Sequence, residues 1–375
     1  MRRSAKAGFT LVELLIVIGV IALLISILLP ALSRARESAV TLKCAANLRS
    51  IGQGLLAYAA ENKGMLPPAY EYRTFKLDLA AGTQTPTAPV AGYVQFSSYL
   101  FGKVPPEAFQ CPAMTKGGLP PTFPMPGEWD PGQQGESGND GTVTDDRMPP
   151  VTAKDGTGTE KTYTPDSQAP RMAYTLNEGI CGRNKHVVGF QSGNDVRTYS
   201  FGVSMNVITN PAGTILATEF IDNAKIVSGA GYSSQTTVVK SHRPVSPWRN
   251  QGDGGGDNNL DMARVPVANQ IRRTNATDFY VRTDGKQSID PLKDFAAGLY
   301  TVGSSGSYRT RLDWVGRNHG SADHYVDRKS NFLYCDGHVE TKSILETVPA
   351  DATKTTPWEW GERMWTLSPN TPDVP

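Results

Sequence analysis

The sequence predicts an α+β chain, with a long N-terminal α-helix packed on an antiparallel β-sheet that carries large loop insertions. Three observations predict it. An uncharged apolar run extends from Leu14 to Leu32, and a proline-free amphipathic stretch follows it directly. The C-terminal half then carries short β-rich runs with no helical pattern of ten or more residues between them, which favours antiparallel pairing over β–α–β units.

Each element has its own signature. The nineteen residues of the apolar run rise about 28 Å as a helix, the thickness of a bilayer's hydrocarbon core. Residues 1–8, MRRSAKAG, carry Arg2, Arg3 and Lys6 and no acid, which predicts that they stay in the cytoplasm while the remainder is exported. In residues 33–64, Cys44, Leu48, Ile51, Leu55 and Tyr58 recur at alternating spacings of four and three, the mark of an amphipathic helix. Asn62-Lys63-Gly64 predicts a C-terminal stop with glycine in the left-handed region, and Pro67-Pro68 prevents resumption. Residues 65–170 are loop-rich, most strongly over 112–170. Strand candidates in residues 171–375 are 172–176, 198–207, 213–220, 236–239, 278–281, 308–314 and 331–339.

Composition narrows the function. The 375 residues contain 37 Lys+Arg and 36 Asp+Glu, a formal charge of +1, so no basic field directs the chain to nucleic acid. A single apolar stretch excludes a polytopic membrane protein and leaves a signal peptide, an anchor or a membrane-resident helix. Glu13 separates these readings, because a carboxylate beside an apolar run costs several kcal/mol in hydrocarbon unless it is protonated or paired. An ordinary signal peptide, cut at the small-x-small sequence Ala31-Leu32-Ser33, has no use for it. Cleavage after Gly8 would instead leave the amine of Phe9 four residues from Glu13, and a neighbouring subunit's amine would neutralise the carboxylate.

Gly8-Phe9-Thr10-Leu11-Val12-Glu13-Leu14-Leu15 resembles the signal of type IV pilins and type II secretion pseudopilins. The resemblance implies a prepilin leader (1–8), a transmembrane and assembly helix (9–32) and its amphipathic continuation (33–64). It also implies a prepilin peptidase/methyltransferase that cuts after Gly8 and N-methylates Phe9, and Glu13 acting in assembly. Pro30 falls where many pilins place a helix-loosening proline. The implied product is a structural, non-enzymatic subunit of a pilus-like or secretion filament. It would span the inner membrane once, with its body exported and other pilin or pseudopilin subunits as partners.

Four cysteines in an exported chain allow three pairings. Cys44 on the apolar stripe and Cys111 in Phe109-Gln110-Cys111-Pro112 form the preferred bridge, leaving Cys181–Cys335 by elimination; four reduced thiols is the alternative. Residues 317–324 (RNHGSADH) and 334–339 (YCDGHV) gather three of the five histidines. His319, His324 and His338 are imidazoles of the kind zinc takes, but no H-E-x-x-H or C-x-x-C spacing supports them. Asp336-Gly337 reads first as a hairpin turn. These stretches resemble the C-terminal signature of the DUF1559 (H-x9-DG) pilin-like family, matched at Arg317, His319, Gly320, Asn331, Asp336, Gly337, His338 and Val339. The departure is sixteen residues between His319 and Asp336, so the equivalent histidine is either His319 followed by an insertion, or His324. No cofactor is expected. Calcium is the weak candidate at Asp253 and Asp257, where Gly255 and Arg264 break the EF-hand pattern. The competing function is a membrane-anchored surface domain, binding or hydrolytic with a metal, built on the His319–His338 region.

Overall fold

A computed structural model of the chain describes residues 11–72, 93–135, 151–184 (less 155, 157 and 164), 191–192, 195–196, 204–224, 227, 238–245, 248–250, 271–273, 314–320, 328–347 and 364–365. In chain order the elements are α1 (Leu11–Glu61), β1 (Tyr70–Tyr72), β2 (Tyr93–Gln95), α2 (Phe96–Tyr99), β3 (Val151–Lys154), β4 (Glu160–Tyr163), β5 (Tyr174–Leu176), β6 (Arg183–Asn184), β7 (Gln191–Ser192), β8 (Asp195–Val196), β9 (Ile215–Glu219), β10 (Trp248–Asn250), β11 (Ile271–Arg273), β12 (Lys329–Tyr334) and β13 (Val339–Ser343). The architecture is α+β: a long N-terminal helix and antiparallel sheet.

α1 is a single helix of 51 residues, about 76 Å long at 1.5 Å per residue. It continues through Pro30, which removes one backbone donor. The helix stops where its sequence says it should. Gly64 adopts φ +84°, a conformation that costs glycine little, and its N–H reaches back to Ala59 O at 2.7 Å. The Asn62 amide donates to Tyr58 O at 2.7 Å and helps to close the last turn.

The central sheet has the order β13-β12-β9-β5 and is antiparallel throughout. A smaller sheet, β2-β1-β6, and the pairs β3–β4, β7–β8 and β10–β11 account for the other strands. Strand alternation divides the central sheet into two faces. Tyr174 is paired with Glu219, and Leu176 and Leu333 with Ala217; these side chains share the face turned to α1. Phe332, Tyr334 and Ile215 belong to the other face, where they pack with Val245, Val315, Ile344, Met364 and Trp365. On the helix side, Cys44, Leu48, Ile51 and Leu55 join residues of both the 65–170 and the 171–375 segments in one core. The predicted stripe on α1 is therefore the packed face, apart from Tyr58, which lies at its margin.

Several expectations change. Part of the 198–207 strand candidate is a 3₁₀ turn at Met205–Val207, capped by Ser204 Oγ accepting from Asn206 N at 3.3 Å. The segment 112–170, expected to be irregular, contains the β3–β4 hairpin, favoured by Val151, Thr152, Thr162 and Tyr163. The 278–281 candidate, most of 308–314 and Thr236 lie outside the described residues. Trp365 is a core residue, whereas Trp358 and Trp360 lie outside the description.

Cys44 and Cys111 are joined by a disulfide with Cα atoms 5.2 Å apart. The expected Cys181–Cys335 bridge is not formed: both are buried thiols. Cys181 follows β5 in a turn closed by its N–H to Asn177 O at 2.8 Å, and Cys335 follows β12 with its N–H on Thr214 O at 2.9 Å. The two thiols lie near enough that Cys335 adds to the rise that burial gives the Cys181 pKa, yet no bond joins them.

Candidate assembly helix and the buried node behind it

Two sites emerge, one along α1 and one beneath it. From Leu11 to Leu32 the large hydrophobic residues are 46–76% exposed on every side of the helix. That segment rises about 33 Å, enough to cross a bilayer core, and among the described residues its side chains are exposed. Glu13 is the one charged residue in it. Gly8 and Phe9 lie outside the described residues.

The lower half of α1 is held by specific contacts. The Cys44–Cys111 bridge ties it to the loop after the 3₁₀ turn at Pro106–Phe109. One turn on, Asn47 Nδ2 donates to Gln110 O at 2.7 Å. The Tyr174 hydroxyl donates to Cys44 O at 3.0 Å, and Asn331 Nδ2 to Thr41 O at 3.3 Å. Burial raises the pKa of the Tyr174 phenol and the charge of Glu219 adds to the rise, so it stays a neutral donor.

Below that contact lies a buried ionisable pair. Glu219 ends β9 on the helix-facing side because Ala217, two residues earlier, also faces α1. His319 lies in the strand-like approach to β12, paired with Lys329 through His319 N to Lys329 O at 3.1 Å and the reverse bond at 2.8 Å. His319 Nε2 lies 3.0 Å from each carboxylate oxygen of Glu219. An ionised carboxylate only accepts, so that nitrogen carries the proton. Asn331 Nδ2 donates to Glu219 Oε1 at 2.9 Å, while Asn331 N and Ser330 Oγ each reach Oε2 at 3.3 Å. Thr341 Oγ1 in turn donates to Asn331 Oδ1 at 2.6 Å and fixes that amide. The pair is thus desolvated, with both Glu219 oxygens and His319 Nε2 hydrogen-bonded, as a buried carboxylate requires. Cys44, Cys111, Glu219 and His319 offer ligand atoms all within 4.8 Å of one another.

The structure does not bring the sequence-predicted histidines together. His319 stands at the start of β12. His338 stands at its far end, in the Asp336-Gly337 turn that joins β12 to β13, with its ring stacked on Tyr334 at 4.3 Å. The length of β12 separates them, about 17 Å at 3.4 Å per residue. The turn reading of Asp336-Gly337 matches: Gly337 has φ +92° and donates to Tyr334 O at 2.9 Å. His338 Nδ1 lies 2.5 Å from Asp336 Oδ1, both exposed. His324, Asp253 and Asp257 lie outside the described residues. Glu219 is the functional residue that sequence reasoning missed. Its signal was a carboxylate in the apolar run Ile215–Phe220.

Against known proteins, neither the curated proteins nor the solved structures give a match. Residues 3–29 match the prokaryotic N-terminal methylation motif, and they lead straight into the exposed half of α1. The chain therefore carries a prepilin-type N-terminal methylation motif at the head of α1.

Proposed function

We propose that this chain is a structural subunit, cut after Gly8, N-methylated at Phe9 and polymerised through α1 into a type IV pilus-like or type II secretion filament. The observation that carries this reading is the contrast along one continuous helix. Among the described residues Leu11–Leu32 stands exposed, while the half beyond Thr41 is bonded into the body. An apolar helix left bare on every side needs lipid or other helices, and a bundle of identical helices supplies both in turn. In that packing Glu13 pairs with the Phe9 amine of a neighbouring subunit.

The body is then displayed outside the inner membrane, where the Cys44–Cys111 bridge fits an oxidising compartment. Its partners are the prepilin peptidase/methyltransferase and other pilin-like subunits. We read His319 as the histidine of the DUF1559-like signature, supported by its packing at the sheet against Glu219. The body serves as a structural module, not an enzyme.

Intact-mass and N-terminal peptide analysis of the membrane-extracted protein tests the reading. A mature chain beginning at N-methylated Phe9 is expected. A chain beginning at Arg34 would identify a discarded signal peptide and overturn it.

A further inference from the structure

Cys44, Cys111, Glu219 and His319 come from four separate parts of the chain: α1, the loop after residues 106–109, the end of β9, and the approach to β12. Each is at most 2% exposed, and their ligand atoms lie within 4.8 Å of one another. Two sulfurs, one imidazole nitrogen and one carboxylate oxygen are the donor set of a tetrahedral zinc site. In the oxidised chain the sulfurs are bonded to each other, and Glu219 and His319 are hydrogen-bonded to one another instead.

We infer that the chain with Cys44 and Cys111 reduced binds one zinc ion through Cys44, Cys111, Glu219 and His319, so that metal and disulfide are alternative states of one node. Four features support it. Tetrahedral zinc–thiolate geometry needs the sulfurs about 3.8 Å apart, which side-chain rotation supplies when the Cα atoms are 5.2 Å apart. Glu219 is already oriented by Asn331 and Ser330, as second-shell donors orient metal ligands. Two thiolates, one carboxylate and Zn²⁺ leave a single net negative charge, and it faces those same donors. Finally, the metal would bridge α1 to the sheet at the place where the disulfide does so.

The exchange balances. Binding displaces two thiol protons and the imidazole–carboxylate contact, and the His319 Nε2 proton leaves to solvent or shifts to Nδ1 so that Nε2 can ligate. Conversion to the bridge releases Zn²⁺ and passes two electrons to a disulfide-bearing oxidant, which takes up two protons as it becomes a dithiol. A chain folding among cytoplasmic thiols would hold the metal, and the exported one the bridge.

The test uses the full chain in detergent, reduced with a phosphine and titrated with Co²⁺ and then Zn²⁺. Expected are tetrahedral d–d and thiolate-to-cobalt charge-transfer bands at one cobalt per chain, bleached by zinc and absent from the oxidised chain. His319→Ala should weaken cobalt binding at least tenfold, whereas the Cys181→Ser/Cys335→Ser double variant should bind as wild type. Because cysteine variants of the node risk misfolding, alkylation of the unmutated chain provides a second readout. Zinc should slow iodoacetamide labelling of Cys44 and Cys111 and leave that of Cys181 and Cys335 unchanged. Absence of tetrahedral bands in the reduced chain, bands that vanish with Cys181 and Cys335, or labelling of Cys44 and Cys111 that zinc does not slow would overturn the inference.

Discussion

Residues Leu11–Leu32 and residues Cys44–Ala59 belong to one helix, yet the first segment buries no side chain and the second buries a full stripe. The backbone is the same in both; what differs is who supplies the packing. The body half meets β12, β13, β9 and the 3₁₀ turn at Pro106–Phe109 within its own chain. Under the proposed function, the exposed half is left for lipid and other subunits. The two halves should therefore fail differently when mutated, the first in assembly and the second in stability.

The largest effect is expected at Glu13. Glu13→Ala should reduce filament yield at least tenfold, read by shearing and electron microscopy, because a subunit without the carboxylate has no polar partner for its neighbour's amine. Membrane insertion and the chemical unfolding of the body should not change. A body destabilised by Glu13→Ala would break the division between the two halves.

Cys44→Ser addresses the opposite half. The bridge spans 67 residues of sequence, and the loop-closure argument assigns it about 4 kcal/mol in the oxidised chain. A loss of that order in the unfolding free energy of the detergent-solubilised protein is expected, with the Leu11–Leu32 half of α1 still helical by circular dichroism. The Asn47–Gln110 and Tyr174–Cys44 hydrogen bonds remain, so the loss should stop short of undocking the helix at neutral pH.

Much of this division was legible in the sequence. The apolar run and the stripe of Cys44, Leu48, Ile51 and Leu55 each report a local period, and Gly64 a local stop, so neither needs knowledge of distant residues. Cys111 was legible as a partner because cysteines in an exported chain are few. The buried node was not legible, because its parts are paired across the chain: Glu219 meets His319 exactly one hundred positions on, and Asn331 twelve later. Only the strand register places those side chains on the α1 face. The three-residue strands β1, β2 and β5 are likewise fixed by their partners, being too short to show a period of their own.

A pair of glycine substitutions compares the halves directly. A Cβ on Gly52 would lie 2.6 Å from Leu333 Cδ1, within the packed face, whereas one on Gly19 would meet nothing within 4 Å. Gly→Ala in a helix gains about 1 kcal/mol of propensity, but overpacking a core costs about 1–3 kcal/mol. Gly52→Ala should therefore destabilise the body by about 1 kcal/mol, while Gly19→Ala should leave the solubilised monomer as stable as before or slightly more so. Equal effects at both positions would mean that Leu333 yields freely and that the stripe is not tightly packed.

The smallest effect is expected where the β12–β13 turn rests on the body half, Gly337 approaching Leu56. Burial pushes the Asp336 carboxyl up, but the His338 backbone N–H, its imidazole and its charge outweigh that and hold the pKa below the usual value. A depressed folded-state pKa stabilises the protein above the unfolded value, near pH 4, and that contribution disappears as pH falls through the folded one. Both side chains are nearly two-fifths exposed, so solvent screens most of the interaction. At pH 5 His338→Ala should lower the unfolding midpoint slightly, and the two stability curves should converge below pH 3. Convergence is the informative feature, because a packing defect from the lost Tyr334–His338 stack would persist at every pH.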